Sequence, residues 1–219
     1  MKCPICKFEK DFKQIVSICE FPVWHCKNKL LRHQCPNCDV IFGPEEILNE
    51  SKELLKKRYQ ILYNSGWKET DSTESELDII KKLNLKNGQR CLNWGGGSVT
   101  NTVYKAKELG IILDCYEPFD PYAKNAITNL DGTERYDAII SNNLMEHLQD
   151  PVSELILMSK HLQDDGVMIH KTPCWEYVYE WTEYHLFFFL GKSPEIMAQQ
   201  AGLMAERLTD NCIRFTKIK

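Results

Sequence analysis

The stretch Cys91-Leu-Asn-Trp-Gly-Gly-Gly-Ser98 constrains the fold of this chain more than any other. A short apolar run ends in three glycines, and a helix-forming segment, Thr100 to Leu109, follows. Glu117 then closes the next apolar run, about twenty residues on, the spacing found in dinucleotide-type pockets. The glycines let backbone approach a ligand closely, and the strand-end carboxylate can accept both hydroxyls of a ribose. Three glycines alone would fit any tight turn. The spacing to Glu117 and the residues downstream favour the pocket.

With 219 residues the chain can build one sizeable core, or a core and a small module. It has no run of about eighteen apolar residues, so no membrane span is expected. The start, Met-Lys-Cys-Pro-Ile-Cys, lacks the apolar stretch of a secretory signal. Ten cysteines in such a chain point to a cytoplasmic location, reduced thiols and metal ligation rather than disulfides. Cys3-Pro-Ile-Cys6 and Cys35-Pro-Asn-Cys38 form matched knuckles, and two such turns supply the tetrahedral thiolate set that zinc prefers. Four protein ligands close the shell, so the expected ion is structural Zn2+. Cys19, His25, Cys26 and His33 lie in the long gap between the knuckles and are read as packing or surface residues, with a ligand substitution left open. The net charge of −4 argues against binding a polynucleotide through phosphate neutralisation. The first forty residues carry seven Lys/Arg against four Asp/Glu, an excess that a four-thiolate zinc site, at about two negative charges, largely removes.

Periodicity predicts one helix from Pro44 to Tyr63 and a polar linker from Asn64 to Ser75. A second helix carries Leu77, Ile80 and Leu83 and stops at Asn87-Gly88. Strands are expected at Arg90–Trp94, Ile111–Tyr116, Tyr136–Ser141 and Val167–Lys171, with helices at Thr100–Leu109 and Val152–Leu162. A short helix from Ser193 to Gly202 precedes a closing hairpin, Leu203–Leu208 with Cys212–Ile218. Alternating strands and helices imply a mostly parallel sheet covered on both faces, and the hairpin adds one reversed strand.

From about Leu77 to Lys219 the chain resembles the class I S-adenosylmethionine-dependent methyltransferases. Leu92-Asn-Trp-Gly-Gly-Gly-Ser98 is similar to the family's first motif, L-D-x-G-x-G-T/S-G, and Tyr116-Glu117-Pro118 to the second, whose acid holds the ribose. Tyr136-Asp-Ala-Ile-Ile-Ser-Asn-Asn-Leu-Met-Glu-His-Leu148 resembles F-D-x-I-x-x-x-x-V-L-E-H-L, and Leu162-Gln-Asp-Asp-Gly166 stands where the family has L-K-P-G-G. Cysteine knuckles ahead of such a core resemble zinc-bearing sugar methyltransferases, and Glu183-Tyr184-His185 looks like their Tyr/Glu/His segment after strand five, in a different order. The resemblance implies a Rossmann-like α/β methyltransferase sheet with a terminal antiparallel hairpin, over residues 76–219. A zinc-ribbon-like module at 1–43 and a helical linker at 44–75 precede it. It also implies S-adenosylmethionine as cofactor, held by Asn93, Gly95, Gly96, Gly97, Glu117 and Asn142. Three departures stand out: Asn93 replaces the usual Asp, Val99 replaces the last glycine, and the interval from Glu117 to Tyr136 is short for a full third strand and helix.

A hydroxyl acceptor needs its proton received, and histidine does this near neutral pH with little tuning. His185, beyond strand five at the carboxyl edge where open sheets bind ligands, is the first candidate base and His147 the second. Leu186 and Phe187–Phe189 are read as core rather than a substrate box, and Tyr59 and Tyr63 as helix packing or a cofactor cover. The leading reading is methyl transfer to a small-molecule acceptor, a sugar or sugar-nucleotide hydroxyl or carbon. Two others stay open: RNA or protein methylation, which the weak charge of the module opposes, and a non-catalytic interaction module on a degenerate fold.

Overall fold

The computed structural model of the protein describes residues 1–18, 29–64, 71–97, 101–120, 123–176 and 182–219. In chain order they form β1 (Lys13–Ile18), β2 (Lys29–Gln34), β3 (Ile41–Phe42), α1 (Glu45–Leu48), α2 (Lys52–Asn64), α3 (Thr73–Leu83), β4 (Arg90–Trp94) and α4 (Asn101–Glu108). Then follow β5 (Ile112–Tyr116), β6 (Tyr136–Asn142), α5 (Pro151–His161), β7 (Leu162–Lys171), β8 (Phe187–Phe188), α6 (Ser193–Gln200), β9 (Leu203–Thr209) and β10 (Cys212–Lys217). Among the described residues no helix is long and apolar enough to cross a membrane.

The larger sheet runs β5-β4-β6-β7-β10-β9, with β5, β4, β6 and β7 parallel and β10 antiparallel to both of its neighbours. The closing hairpin thus places a single reversed strand in the sheet, as its turn residues predict. Both faces are covered, and the pleat sorts the side chains. Leu92, Ile139 and Met168 join one apolar cluster with α5 and α6. Their neighbours Cys91, Ala138, Ile140 and Ile169 join the other, with α3 and α4 residues. Among the described residues of the short interval after Glu117, a bridge stands in place of a third strand: Tyr116 pairs in parallel with Ile127.

Three elements depart from the sequence expectation. The helix expected over 44–63 is two. Gln149 donates to the carbonyls of Ile47 (2.6 Å) and Glu50 (3.0 Å), satisfying the end of α1. The Ser51 hydroxyl, 3.3 Å from the Leu54 amide, then starts α2. Next, α3 stops before Asn87-Gly88, because Asn84 takes the left-handed conformation (φ 52°) that asparagine tolerates. Finally, β7 begins at Leu162 rather than Val167, with Asp164-Asp165-Gly166 in an irregular stretch of strand where the register against β6 shifts.

The smaller sheet, β1-β2-β3-β8, draws its last strand from far along the chain, with Ile41 opposite Phe188 and Phe42 opposite Phe187. Cys3, Ile5, Cys35, Cys38, Val40 and Phe42 share one buried cluster with Leu92, Trp94, Phe187 and Phe189. The N-terminal segment and the larger sheet therefore have a common core. Phe187–Phe189 are fully buried, in line with their reading as core, and His33 packs against Phe12 and Phe42.

Candidate functional site

The two knuckles repeat one turn. Cys3 and Cys35 donate their amides to Phe8 and Val40, five residues on, and accept from the amides of Lys7 and Asp39, four residues on. Lys7 (φ 60°) and Asp39 (φ 65°) supply the left-handed residue of each turn. The four sulfurs lie within 4.8 Å of one another, with Cys3–Cys38 at 3.7 Å and Cys6–Cys35 at 3.5 Å. Sulfurs at about 2.3 Å from one ion in a tetrahedron stand roughly 3.8 Å apart, so these four fit a zinc ion with little movement. The Cys38 thiol beside Cys3 holds Cys3 down to about 5 and is itself pushed up, while burial raises Cys35 to about 11. Cys19, His25 and Cys26 lie outside the described residues.

At the end of β4, Gly95 (φ 72°) and Gly97 (φ 60°) occupy the left-handed region open to glycine. The amides of Gly95 and Gly96 donate to the Tyr116 carbonyl (2.8 and 3.3 Å), which ties the glycine turn to the end of β5. A Cβ at Gly95 would meet Leu144, and one at Gly96 would meet the Asn93 amide, each at 2.7 Å. Asn93 is buried; its Nδ2 donates to Glu76 Oε1 (2.9 Å), and its Oδ1 is a buried acceptor without a partner. Glu76, on α3, also accepts from the Ser72 hydroxyl (2.9 Å) and the Thr102 hydroxyl. The sequence reading missed Glu76. Asn93 was the available signal, because an amide in a buried acid's place brings a donor that needs an acceptor. Ser98, Val99 and Thr100 lie outside the described residues.

Glu117 stands just past β5. Its Oε1 accepts from the amides of Phe119 (2.8 Å) and Asp120 (3.1 Å), which leaves Oε2, rather than both oxygens, for a ligand. Asn142 ends β6, and its Oδ1 accepts from the Ser75 hydroxyl at 2.9 Å.

A short 3-10 turn, Met145–His147, follows β6 and brings Glu146 and His147 beside His185. One ligand atom from each of the three lies within 4.8 Å of the others, and the imidazole centroids are 5.0 Å apart. His147 Nδ1 donates to the Tyr184 carbonyl at 3.0 Å, which fixes the tautomer and turns Nε2 into the acceptor. Glu146 is fully buried with no well-aligned hydrogen bond to either oxygen, and burial pushes its carboxyl up, partly offset by His147 and the Thr172 side chain. Burial, His147 and Arg32 together hold His185 down to about 3, well below the near-neutral value expected of the base from its residue type. Its imidazole is therefore neutral at physiological pH but a weaker base than a free histidine. Cys174 Sγ lies 3.7 Å from His185 Nδ1, and burial keeps that thiol protonated. Tyr59 packs on Tyr184 (5.4 Å) and on Phe119 (6.4 Å), bridging the histidine cluster and the Glu117 turn.

Arg32 of β2 is a second residue the sequence reading missed. It is 1% exposed, donates to the carbonyls of Thr182 (2.7 Å) and His185 (3.2 Å), and lies over the Phe188 ring at 5.2 Å. The small sheet thereby holds the segment that carries His185. Arg32→Met keeps the apolar stem and removes the fork. It should cost about 1.5–3 kcal/mol, the range for hydrogen bonds to a charged group. Denaturant unfolding checks this: an unchanged midpoint would show that the contacts contribute nothing.

An open, mostly parallel sheet with a glycine turn and a carboxylate at the carboxyl ends of its strands is the arrangement that takes a nucleotide-type cofactor. The methyltransferase-domain family matches residues 52–208, well over half of the chain. The chain belongs to this family and is an S-adenosylmethionine-dependent methyltransferase. No curated protein matches it. Among solved structures it is similar to the Burkholderia thailandensis 1,6-didemethyltoxoflavin-N1-methyltransferase, crystallised with 1,6-didemethyltoxoflavin and S-adenosylhomocysteine. The two are 14% identical with a TM-score of 0.60, over 90% of this chain and 99% of that one. The CcbJ methyltransferase of Streptomyces caelestis is 10% identical with a TM-score of 0.50, over 72% of this chain and 95% of that one. CalO1, a methyltransferase of calicheamicin biosynthesis, is 11% identical with a TM-score of 0.50, over 76% and 59%. At these identities the likeness concerns the fold.

Proposed function

We propose that this protein methylates a small-molecule acceptor, a sugar or sugar-nucleotide hydroxyl or carbon, in a reducing, cytoplasmic setting. The observation that carries the reading is the pair His147 and His185, linked through Tyr59 and Phe119 to the turn of Glu117. The toxoflavin enzyme, which shares the fold, was crystallised with 1,6-didemethyltoxoflavin and S-adenosylhomocysteine, and this supports a small-molecule acceptor. The order Glu183-Tyr184-His185, resembling the sugar enzymes' segment, supports the sugar. We assign residues 1–43 as a zinc-bearing module, 44–75 as a linker and 76–219 as the catalytic domain.

The donor residues fit S-adenosylmethionine. Asn93 Oδ1 is an orphaned acceptor for its ammonium, Gly95 and Gly96 let the turn close against Leu144 and Asn93 where a Cβ would collide, and Glu117 Oε2 accepts from a ribose hydroxyl. Asn142 stands at the carboxyl end of β6, on the same edge of the sheet. When bound, the cofactor supplies a methyl group on a sulfonium, already a good leaving group. The protein's own work is then to align the acceptor and exclude water. His185, kept neutral, receives the acceptor's proton, and His147, fixed by the Tyr184 carbonyl, orients the acceptor through Nε2.

Glu117→Ala should weaken S-adenosylhomocysteine binding at least about tenfold, since a charge-assisted hydrogen bond is worth roughly 1.5–3 kcal/mol and 1.4 kcal/mol is a factor of ten. Glu117→Gln retains an acceptor for Phe119 and Asp120 and so separates loss of the ribose contact from loss of the turn. Calorimetry on both variants tests the pocket. Unchanged affinity in folded Glu117→Ala would put the cofactor elsewhere. A panel of sugar nucleotides, assayed by S-adenosylhomocysteine release, tests the acceptor. Turnover confined to non-sugar compounds would refute the sugar assignment.

A further inference from the structure

The histidine cluster contains a group that proton transfer does not explain. Glu146 is fully buried beside His147 and His185; the Thr172 side chain is near its carboxyl, but no well-aligned hydrogen bond pairs either oxygen. Buried carboxylates are ordinarily paired or coordinate a metal. The ligand atoms of Glu146, His147 and His185 lie within 4.8 Å of one another. Ligand atoms on one tetrahedral ion at about 2.0–2.2 Å stand roughly 3.4 Å apart, so the three side chains draw together when an ion enters. His147 already has the orientation typical of a ligating histidine, with Nδ1–H on the Tyr184 carbonyl and Nε2 presented to the cluster. Both histidines are partly exposed, so three protein ligands would leave coordination positions open. Two imidazoles and one carboxylate suit a borderline ion such as Zn2+ or Co2+ better than Mg2+ or Ca2+.

We propose that Glu146, His147 and His185 form a second divalent-metal site, separate from the four cysteines. The consequence rests on the reading that this cluster faces the acceptor. An ion held by His185 occupies the lone pair that would receive the acceptor's proton, so metal binding and methyl transfer exclude each other at this site. Free Zn2+ is therefore a reversible inhibitor.

The test is Co2+ titration of protein whose cysteine site already holds zinc, followed by visible absorption and calorimetry. One further equivalent should bind, with nitrogen and oxygen-type bands and no sulfur charge-transfer. Glu146→Gln preserves volume and removes a buried charge, so it should fold, which a melting profile verifies. Both it and His147→Gln should weaken Co2+ binding at least about tenfold, the scale already seen for loss of outer-shell partners. Absence of the second equivalent, or wild-type Co2+ affinity in folded Glu146→Gln, overturns the site. Methyl transfer by chelated enzyme with its cysteine zinc retained reports the base independently. Loss of turnover in His185→Gln without Co2+ binding by wild type would refute the metal site alone, and Co2+ binding with full turnover in His185→Gln would refute the base alone.

Discussion

Cys35→Ser is expected to abolish the zinc binding proposed for the four cysteines and to unfold the N-terminal sheet. Its sulfur lies 3.5 Å from that of Cys6, close to the edge of a zinc–thiolate tetrahedron. Binding energy at such sites is folding energy, on the order of 10–16 kcal/mol of apparent affinity in zinc-finger peptides. The damage should spread beyond the knuckles, because Cys35 and Cys38 share a buried cluster with Trp94 and Phe187, and β3 pairs with β8. Arg32, on β2, would then lose its hold on Thr182 and His185. Metal analysis of wild type should give about one tightly held zinc per chain, since a closed thiolate shell takes a single ion. The variant should contain none, melt earlier and lose turnover. A metal-free wild type with an unaltered melting profile would dispose of the structural zinc.

His185→Gln should lower turnover by about 10²–10⁴-fold, the usual loss on removing a general base. Affinity for S-adenosylhomocysteine should stay near wild type, because His185 is placed by Arg32 and packs on His147 rather than on the glycine turn. Glutamine retains polarity and approximate volume, so the change isolates the proton acceptor. His147→Gln is the control and is expected to act through placement of the acceptor and of Tyr184, whose carbonyl it holds. If His185→Gln kept normal turnover and His147→Gln lost it, the two roles would be exchanged.

Much of this architecture is local and therefore legible. The knuckles announce themselves because a turn of four residues fixes where two sulfurs point, and both turns have the same hydrogen bonds. The start of α5 is equally local: Asp150 accepts from the Ser153 amide at 3.0 Å, and Pro151 needs no amide partner in the first turn. The reversed strand β10 follows from the hairpin at 209–212, whose turn residues leave the chain no other direction.

The residues that complete the site are legible only in part, since their partners are distant in sequence. Asn93 signals a missing acceptor, but nothing within its own motif identifies Glu76, seventeen positions earlier on another element. The break between α1 and α2 depends on Gln149, about a hundred residues ahead, so the apolar stripe of 44–63 is continuous where the backbone is not.

By itself, then, the sequence determined the order and direction of the strands of the larger sheet, the glycine turn and the four thiols, because backbone preference and side-chain period act over a few residues. Only the tertiary structure decided that Arg32 would clamp a segment 150 residues away, that Phe187–Phe188 would finish the N-terminal sheet, and that Glu146 would be buried against two imidazoles. Those outcomes depend on which surfaces meet once the apolar clusters close, and burial fixes that choice through volume and desolvation, quantities to which every element contributes.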